Sequence, residues 1–294
     1  MAYILMVLSS FFSMLDIVII KKFQMGLVMD KIHMVLYNFY NSLIASVYFF
    51  VGAFFEGGVL KVNGVTLAFS GVFALLVFSS MVVEVFSYSR SSISVVTITK
   101  SSGTIIISAL FGLLFLKEMF SWKLMLSLIL IFIAVILPYL KMVKTDFKKS
   151  DMLIYICNFL INGAVAVLFK LYAINPDVKG TMVFFFYTNL ILFIGTGIII
   201  LANIGKCRKK RESMPNFSVG QIGFVAGRTA AANVVSVLEV VILSRIDISI
   251  YTIFISSIAL LANTALSKFY FKEKQSRELY VAICLAVLAI ILSV

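Results

Sequence analysis

The sequence predicts an all-α integral membrane protein, with ten transmembrane helices arranged as two inverted five-helix repeats. Three observations point there. Hydrophobic residues fill 62% of the 294 positions and charged residues 13%, whereas a soluble domain is nearer half apolar and a quarter charged. The apolar residues fall in runs of about twenty, the helix length that crosses a hydrocarbon core of roughly 30 Å. The second half of the chain also repeats the first. Mean hydropathy, at +1.10, agrees.

The first run, 2–20, has neither a basic leading segment nor a small-residue cleavage site, so it reads as a span and not as a cleavable signal. The second, 34–55, stops at Glu56-Gly57-Gly58. The third and fourth, 65–88 and 93–116, flank a short turn containing Ser89-Arg90. The fifth, 123–140, gives way to a basic loop over 141–151. The sixth, 152–173, stops at Asn175-Pro176-Asp177, and the seventh, 182–202, stops before a basic run at 206–211. The eighth, ninth and tenth cover 218–243, 248–271 and 279–294. The longest loop, 203–217, leaves no room for a soluble domain. The single histidine, His33, falls in the loop before the second span.

Sliding 84–118 by 155 positions onto 239–273 without gaps makes twelve of thirty-five residues identical. The pairs include Glu84/Glu239, Ser89/Ser244, Arg90/Arg245, Thr97/Thr252 and Lys117-Glu118/Lys272-Glu273. Nearer the start of each half the offset is 148, pairing Lys22 with Lys170 and Asn41 with Asn189. Apolar composition alone does not align charged residues, so this is a duplication, with repeats at 1–147 and 148–294. Each repeat holds five spans. Five is odd, so the second repeat enters the membrane from the opposite side, as in many secondary transporters whose sites lie near the midplane between repeats.

The net charge of +12 does not point to nucleic acid, because most basic residues sit in short loops between apolar runs. Cys157, Cys207 and Cys284 lie at no metal-ligand spacing, and no metal or cofactor is expected. There is no Walker-type loop. One histidine and scattered acids do not make a catalytic cluster, so an enzyme is not expected. The implied partners are the lipid bilayer, a small-molecule solute and protons as a coupling ion. One chain holds both repeats, so a monomer suffices, with a homodimer as the other state.

Several local features resemble the drug/metabolite transporter superfamily, EamA type, over essentially the whole chain. Each half carries a lysine at the close of its first span (Lys22, Lys170) and a Ser-Arg turn between its third and fourth (Ser89-Arg90, Ser244-Arg245). Each fourth span closes on Lys-Glu (Lys117-Glu118, Lys272-Glu273). The proline usual in the fourth and ninth spans is absent. Instead, Lys100-Ser101-Ser102-Gly103 is similar to a lysine-serine segment of nucleotide-sugar and sugar-phosphate carriers in the same superfamily. The resemblance implies a carrier in a cell membrane that works without ATP, by alternating access, on amino acids, amines, nucleotide sugars or related metabolites.

Polar groups deep in spans are expensive and normally face a cavity or a partner. Lys100, about eight residues into the fourth span, is a candidate contact for a carboxylate or phosphate, or else a snorkelling lysine. Arg228, deeper in the eighth, has the planar fork that suits such anions. It stands eleven residues before Glu239, about 16 Å along one helix, too far for a direct pair. Glu84 and Glu239 are candidate coupling acids, with local pairing to Arg90 and Arg245 as the simpler reading. Asp16 in the first span is a third coupling candidate. Tyr37, Tyr40 and Asn41, with Tyr187 and Asn189 as counterparts in the seventh span, form a Tyr/Asn cluster presented by both halves. Asn158, Asn162, Asn233 and Asn263 read as interhelical hydrogen-bonding groups. The cationic pair favours a substrate with an anionic group: an amino acid, organic acid or phosphorylated metabolite. The alternative is an exporter of amines or cationic drugs that uses the intramembrane carboxylates.

Loop charge and family resemblance disagree about orientation. Odd-numbered loops carry 16 Lys and Arg against 5 in even-numbered ones, counting Lys123 at the edge of the fifth span, which places both termini outside. The resemblance places both in the cytoplasm.

Overall fold

The structure is a computed structural model that describes residues 2–25, 31–56, 62–88, 93–118, 121–137, 152–178, 180–210, 217–265 and 277–293. Among these residues all the regular secondary structure is helical. There are ten helices: α1 (Ala2–Met25), α2 (Lys31–Phe55), α3 (Gly64–Tyr88), α4 (Ile93–Leu114), α5 (Trp122–Ile136), α6 (Met152–Ile174), α7 (Thr181–Lys210), α8 (Val219–Leu243), α9 (Ile248–Ala265) and α10 (Arg277–Ser293). Five stretches are long and apolar enough to cross a membrane: Ile32–Phe55, Gly64–Val83, Met152–Ile174, Thr181–Ile204 and Val219–Leu243. Shorter apolar stretches occupy α1, α4, α5 and α9. Phe55 is 83% exposed and Leu153 71%. Such residues suit a surface that meets lipid.

Two details depart from the sequence reading. The basic run after the seventh span was expected in a loop, yet α7 continues through Lys210. Cationic residue types are favoured at the C-terminal end of a helix, where the dipole is negative. His33 was also expected in a loop. It lies in the first turns of α2, with its ring stacked 6.2 Å from that of Phe217.

The helices belong to two compact units, each drawing on both halves of the sequence. The first comprises Met1–Met14, Ser79–Ile174 and Leu238–Val294. Within it α4 packs on α6 at a crossing that only glycine permits. A Cβ on Gly103 would stand 2.1 Å from the Phe159 carbonyl oxygen, and one on Gly163 would stand 2.3 Å from Ile107 Cδ1. α5 packs on α10 through Leu124, Leu128 and Ile131 against the alanine ridge Ala282, Ala286 and Ala289. Asn158 Nδ2 donates to Ser87 Oγ at 3.0 Å, the interhelical role expected of a buried amide.

The second unit comprises Leu15–Phe78 and Asn175–Val237. Its core seam joins α2 to α7, repeat counterparts, through ring pairs Phe39–Phe193 at 4.8 Å and Phe49–Phe185 at 4.9 Å. The abundant phenylalanines therefore serve packing here. Helix ends are capped by side chains. Asn63 Oδ1 accepts the Thr66 N–H at 2.8 Å at the start of α3. Glu56 accepts the Thr181 and Met182 N–H groups at 3.1 and 2.8 Å at the start of α7. Ser218 and Gln221 bond each other's N–H groups ahead of α8, a capping box.

Candidate functional site

In the second unit, α8 brings Arg228 and Thr229 against α2. Arg228 Nη1 donates to Asn41 Oδ1 at 3.4 Å, and the guanidinium lies 5.4 Å from the centre of the Tyr37 ring. Thr229 Oγ1 stands 2.7 Å from Asn41 Oδ1. Asn41 is thereby oriented with its carbonyl oxygen toward the cation. Asn41 and Tyr37 thereby aim the planar fork of the guanidinium. Tyr37 is buried beside Leu36, Phe217 and Val225. Tyr40 stacks on Phe217 at 5.8 Å. This unites Tyr37, Tyr40, Asn41 and Arg228 from the sequence candidates. Their counterparts have diverged: Asn189 Nδ2 donates to the Phe185 carbonyl one turn back, and the Tyr187 ring meets Phe186 edge-on at 5.1 Å.

The first unit holds a cavity of about 180 Å³ whose polar wall includes Thr104, Asn162, Glu239, Tyr251 and Ser256. Tyr251 Oη donates to Glu239 Oε1 at 2.7 Å. The partner given to this carboxylate is thus a hydroxyl on α9, where sequence spacing had suggested the turn arginine. A helix of 3.6 residues per turn puts Tyr251, early in α9, back against the end of α8 once the four-residue turn reverses the chain. Thr252 Oγ1 lies 3.0 Å from Ser108 Oγ, linking the counterpart helices α4 and α9. Half-buried Lys100 stands one turn before cavity-lining Thr104, on the same face of α4. The side chains of Glu84 and Asp16 lie outside the described residues, as does that of Asn263. Lys100 and Glu239 fall in the first unit and Arg228 in the second.

A larger volume of about 270 Å³ between α4 and α5 is lined by aliphatic residues, Met125 and Phe132, which offer dispersion contacts only. Among the described residues no group of three His, Cys, Asp or Glu could hold a metal ion.

Two buried charges that the sequence marked only as repeat signatures hold the α8–α9 turn. Lys170 is 7% exposed, and its Nζ donates to the Leu243 and Ile246 carbonyls at 2.9 and 2.6 Å. Glu118 is 9% exposed. It accepts the Ile248 N–H at 2.7 Å, the Ser249 N–H at 3.4 Å and the Ser249 hydroxyl at 2.6 Å. The chain presents Glu118 there by reversing at Lys117, whose φ is 53°. A Cβ on Gly112 would stand 2.4 Å from Glu118 Oε2, so the glycine clears the carboxylate's place. A cation thus sits at the C-terminal end of α8 and an anion at the N-terminal end of α9, each where the helix dipole favours it. The signal available in sequence was the recurrence of both charges in the repeat.

Comparison with known proteins agrees with this architecture. No curated protein matches the sequence. A solved structure described only as a protein aligns over 99% of this chain and 95% of its own, with a TM-score of 0.74 and 12% identity, a likeness of fold. Residues 1–140 match the family model of the EamA-like transporters. The protein is thus an integral, multi-pass membrane transporter. Over residues 1–140 the chain is similar to the EamA-like transporters, a family within the drug/metabolite transporter superfamily.

Proposed function

We propose that the protein is a secondary active carrier of a small polar metabolite bearing an anionic group, such as an amino acid, organic acid or phosphorylated metabolite. The observation that carries this reading is Arg228, a guanidinium on α8 oriented by the Asn41 amide and the Tyr37 ring. A guanidinium so oriented recognises a carboxylate or phosphate by two parallel hydrogen bonds. Lys100, in the first unit, is a separate cationic candidate for the same class of anion. Glu239, in its cavity with Tyr251, is the coupling acid that takes up a proton, with Glu84 and Asp16 as further candidates. The two five-span repeats, 1–147 and 148–294, rock about the site in alternating access, in a cell membrane.

The alternative is an exporter of amines or cationic drugs, and one observation favours it: the Glu239 carboxylate faces a cavity with an aromatic and hydroxyl-bearing wall. A thermal-shift screen of the detergent-purified protein against amino acids, amines, organic acids and phosphorylated sugars separates the two. A ligand at a hundredfold excess over its dissociation constant adds about 2.7 kcal/mol of apparent stability. The anionic reading expects stabilisation by an anionic metabolite, lost in Arg228→Ala. Stabilisation by amines that persists in Arg228→Ala and is lost in Glu239→Gln establishes the alternative.

A further inference from the structure

The hold on the α8–α9 turn and the Glu239 cavity share residues. Phe169, Leu243 and Ile248 line the cavity. Lys170 follows Phe169 in the chain and bonds the Leu243 carbonyl, while Glu118 bonds the Ile248 N–H. The two buried charges therefore fix the wall at one end of the cavity, each gripping a helix terminus.

We propose that Lys170 and Glu118 form a gate, holding the α8–α9 turn over one end of the Glu239 cavity and opening that end when they let the turn go.

Three features suit a reversible hold. The hydrogen bonds of each charge go to backbone and hydroxyl groups at a helix end, so release of the turn breaks bonds to neutral partners. Glu118 also acts electrostatically on Lys170 in the closed arrangement, as does Asp247 in the turn. Once the turn withdraws, the lysine and glutamate can serve as each other's partner, which limits the cost of two exposed charges in a low-dielectric setting. Finally, the ends held are those of α8 and α9, the helices that carry Glu239 and Tyr251. Movement of the turn thus acts directly on the cavity's carboxylate and its donor. Both residues are positioning residues: neither lines the cavity in the structure.

The proposal rests on the reading that the Glu239 cavity lies on the transport path, and the labelling test of the gate itself does not need a substrate. Ser256 lines the cavity. In the full-length protein with Cys157, Cys207 and Cys284 replaced by serine, Ser256→Cys becomes a reporter for a membrane-impermeant maleimide in proteoliposomes. Lys170→Met and Glu118→Gln should each raise the labelling rate by about tenfold, the shift expected when a closed state loses a hold worth one decade in population. Lys170→Arg, which keeps the donors, should raise it less. Gly112→Ala is the second variant: it crowds the carboxylate without removing either charge, and should also raise labelling while keeping a cooperative melt. Unchanged labelling in Glu118→Gln and Gly112→Ala overturns the gate, whatever the protein transports. Faster labelling with an unchanged transport rate and KM keeps the gate and overturns the placing of this cavity on the transport path.

Discussion

Tyr251 donates its hydroxyl proton to Glu239 at 2.7 Å, joining α9 to α8 at the polar wall of a cavity otherwise bordered by Phe169, Leu243 and Ile248. The bond matters because the carboxylate sits in a membrane-spanning helix, where each hydrogen bond to a charge contributes about 1.5–3 kcal/mol.

Removing that donor should slow transport without unfolding the protein. Tyr251→Phe is expected to lower the initial rate of uptake driven by an imposed pH gradient by about tenfold, as loss of one such bond implies. Glu239→Gln should abolish gradient-driven uptake yet keep solute exchange, since exchange needs no net proton movement. Paired uptake and exchange assays in proteoliposomes check both.

Arg228 offers a graded series. Arg228→Ala should raise the KM for the transported anion by about a hundredfold, the equivalent of roughly 2.7 kcal/mol of lost charge-assisted bonding. Arg228→Lys should recover part of this, because it keeps the charge and loses the fork. Thr229→Val removes the hydroxyl that orients Asn41 and should raise KM by only a few-fold. Initial-rate kinetics across the three variants measure the order.

The glycine crossing of α4 and α6 makes a stability prediction. Gly103→Ala places a methyl 2.1 Å from a backbone oxygen, which no rotamer relieves. It should destabilise by about 1–3 kcal/mol, the usual penalty of overpacking. Gly71→Ala, with nothing within 4 Å of the added carbon, should be neutral or slightly stabilising. Melting temperatures of the two variants, purified side by side, test the contrast.

At the start of α7, Glu56→Ala removes the acceptor for two N–H groups. The expected loss is about 1 kcal/mol, as for other N-terminal caps. A small downward shift in melting temperature, with transport kinetics unchanged, is the predicted result.

Much of the fold was legible because bilayer thickness imposes a length and composition on each span that few other constraints imitate. The breaks at Asn175-Pro176-Asp177 and around Ser244-Arg245 were visible for the same reason. The grouping of Tyr37, Tyr40, Asn41 and Arg228 was legible only in part. Side-chain type and depth nominated each residue, but the 187-residue separation of Asn41 and Arg228 left their contact to tertiary structure. Glu239 shows the limit most clearly. Sequence spacing favoured the nearby arginine, whereas the reversal at the turn gives the carboxylate a tyrosine twelve residues on. Lys170 and Glu118 stood out as repeated letters, and their common task on the α8–α9 turn needed the distances.

The central claim is recognition of an anionic group at Arg228, and solute counterflow in proteoliposomes tests it most directly. With the native protein, an amino acid, organic acid or phosphorylated metabolite loaded inside should drive accumulation of its labelled form from outside. This should vanish in Arg228→Ala and partly return in Arg228→Lys. Counterflow of amines only, equal in the native protein and Arg228→Ala and absent in Glu239→Gln, would contradict the account and assign recognition to the carboxylate.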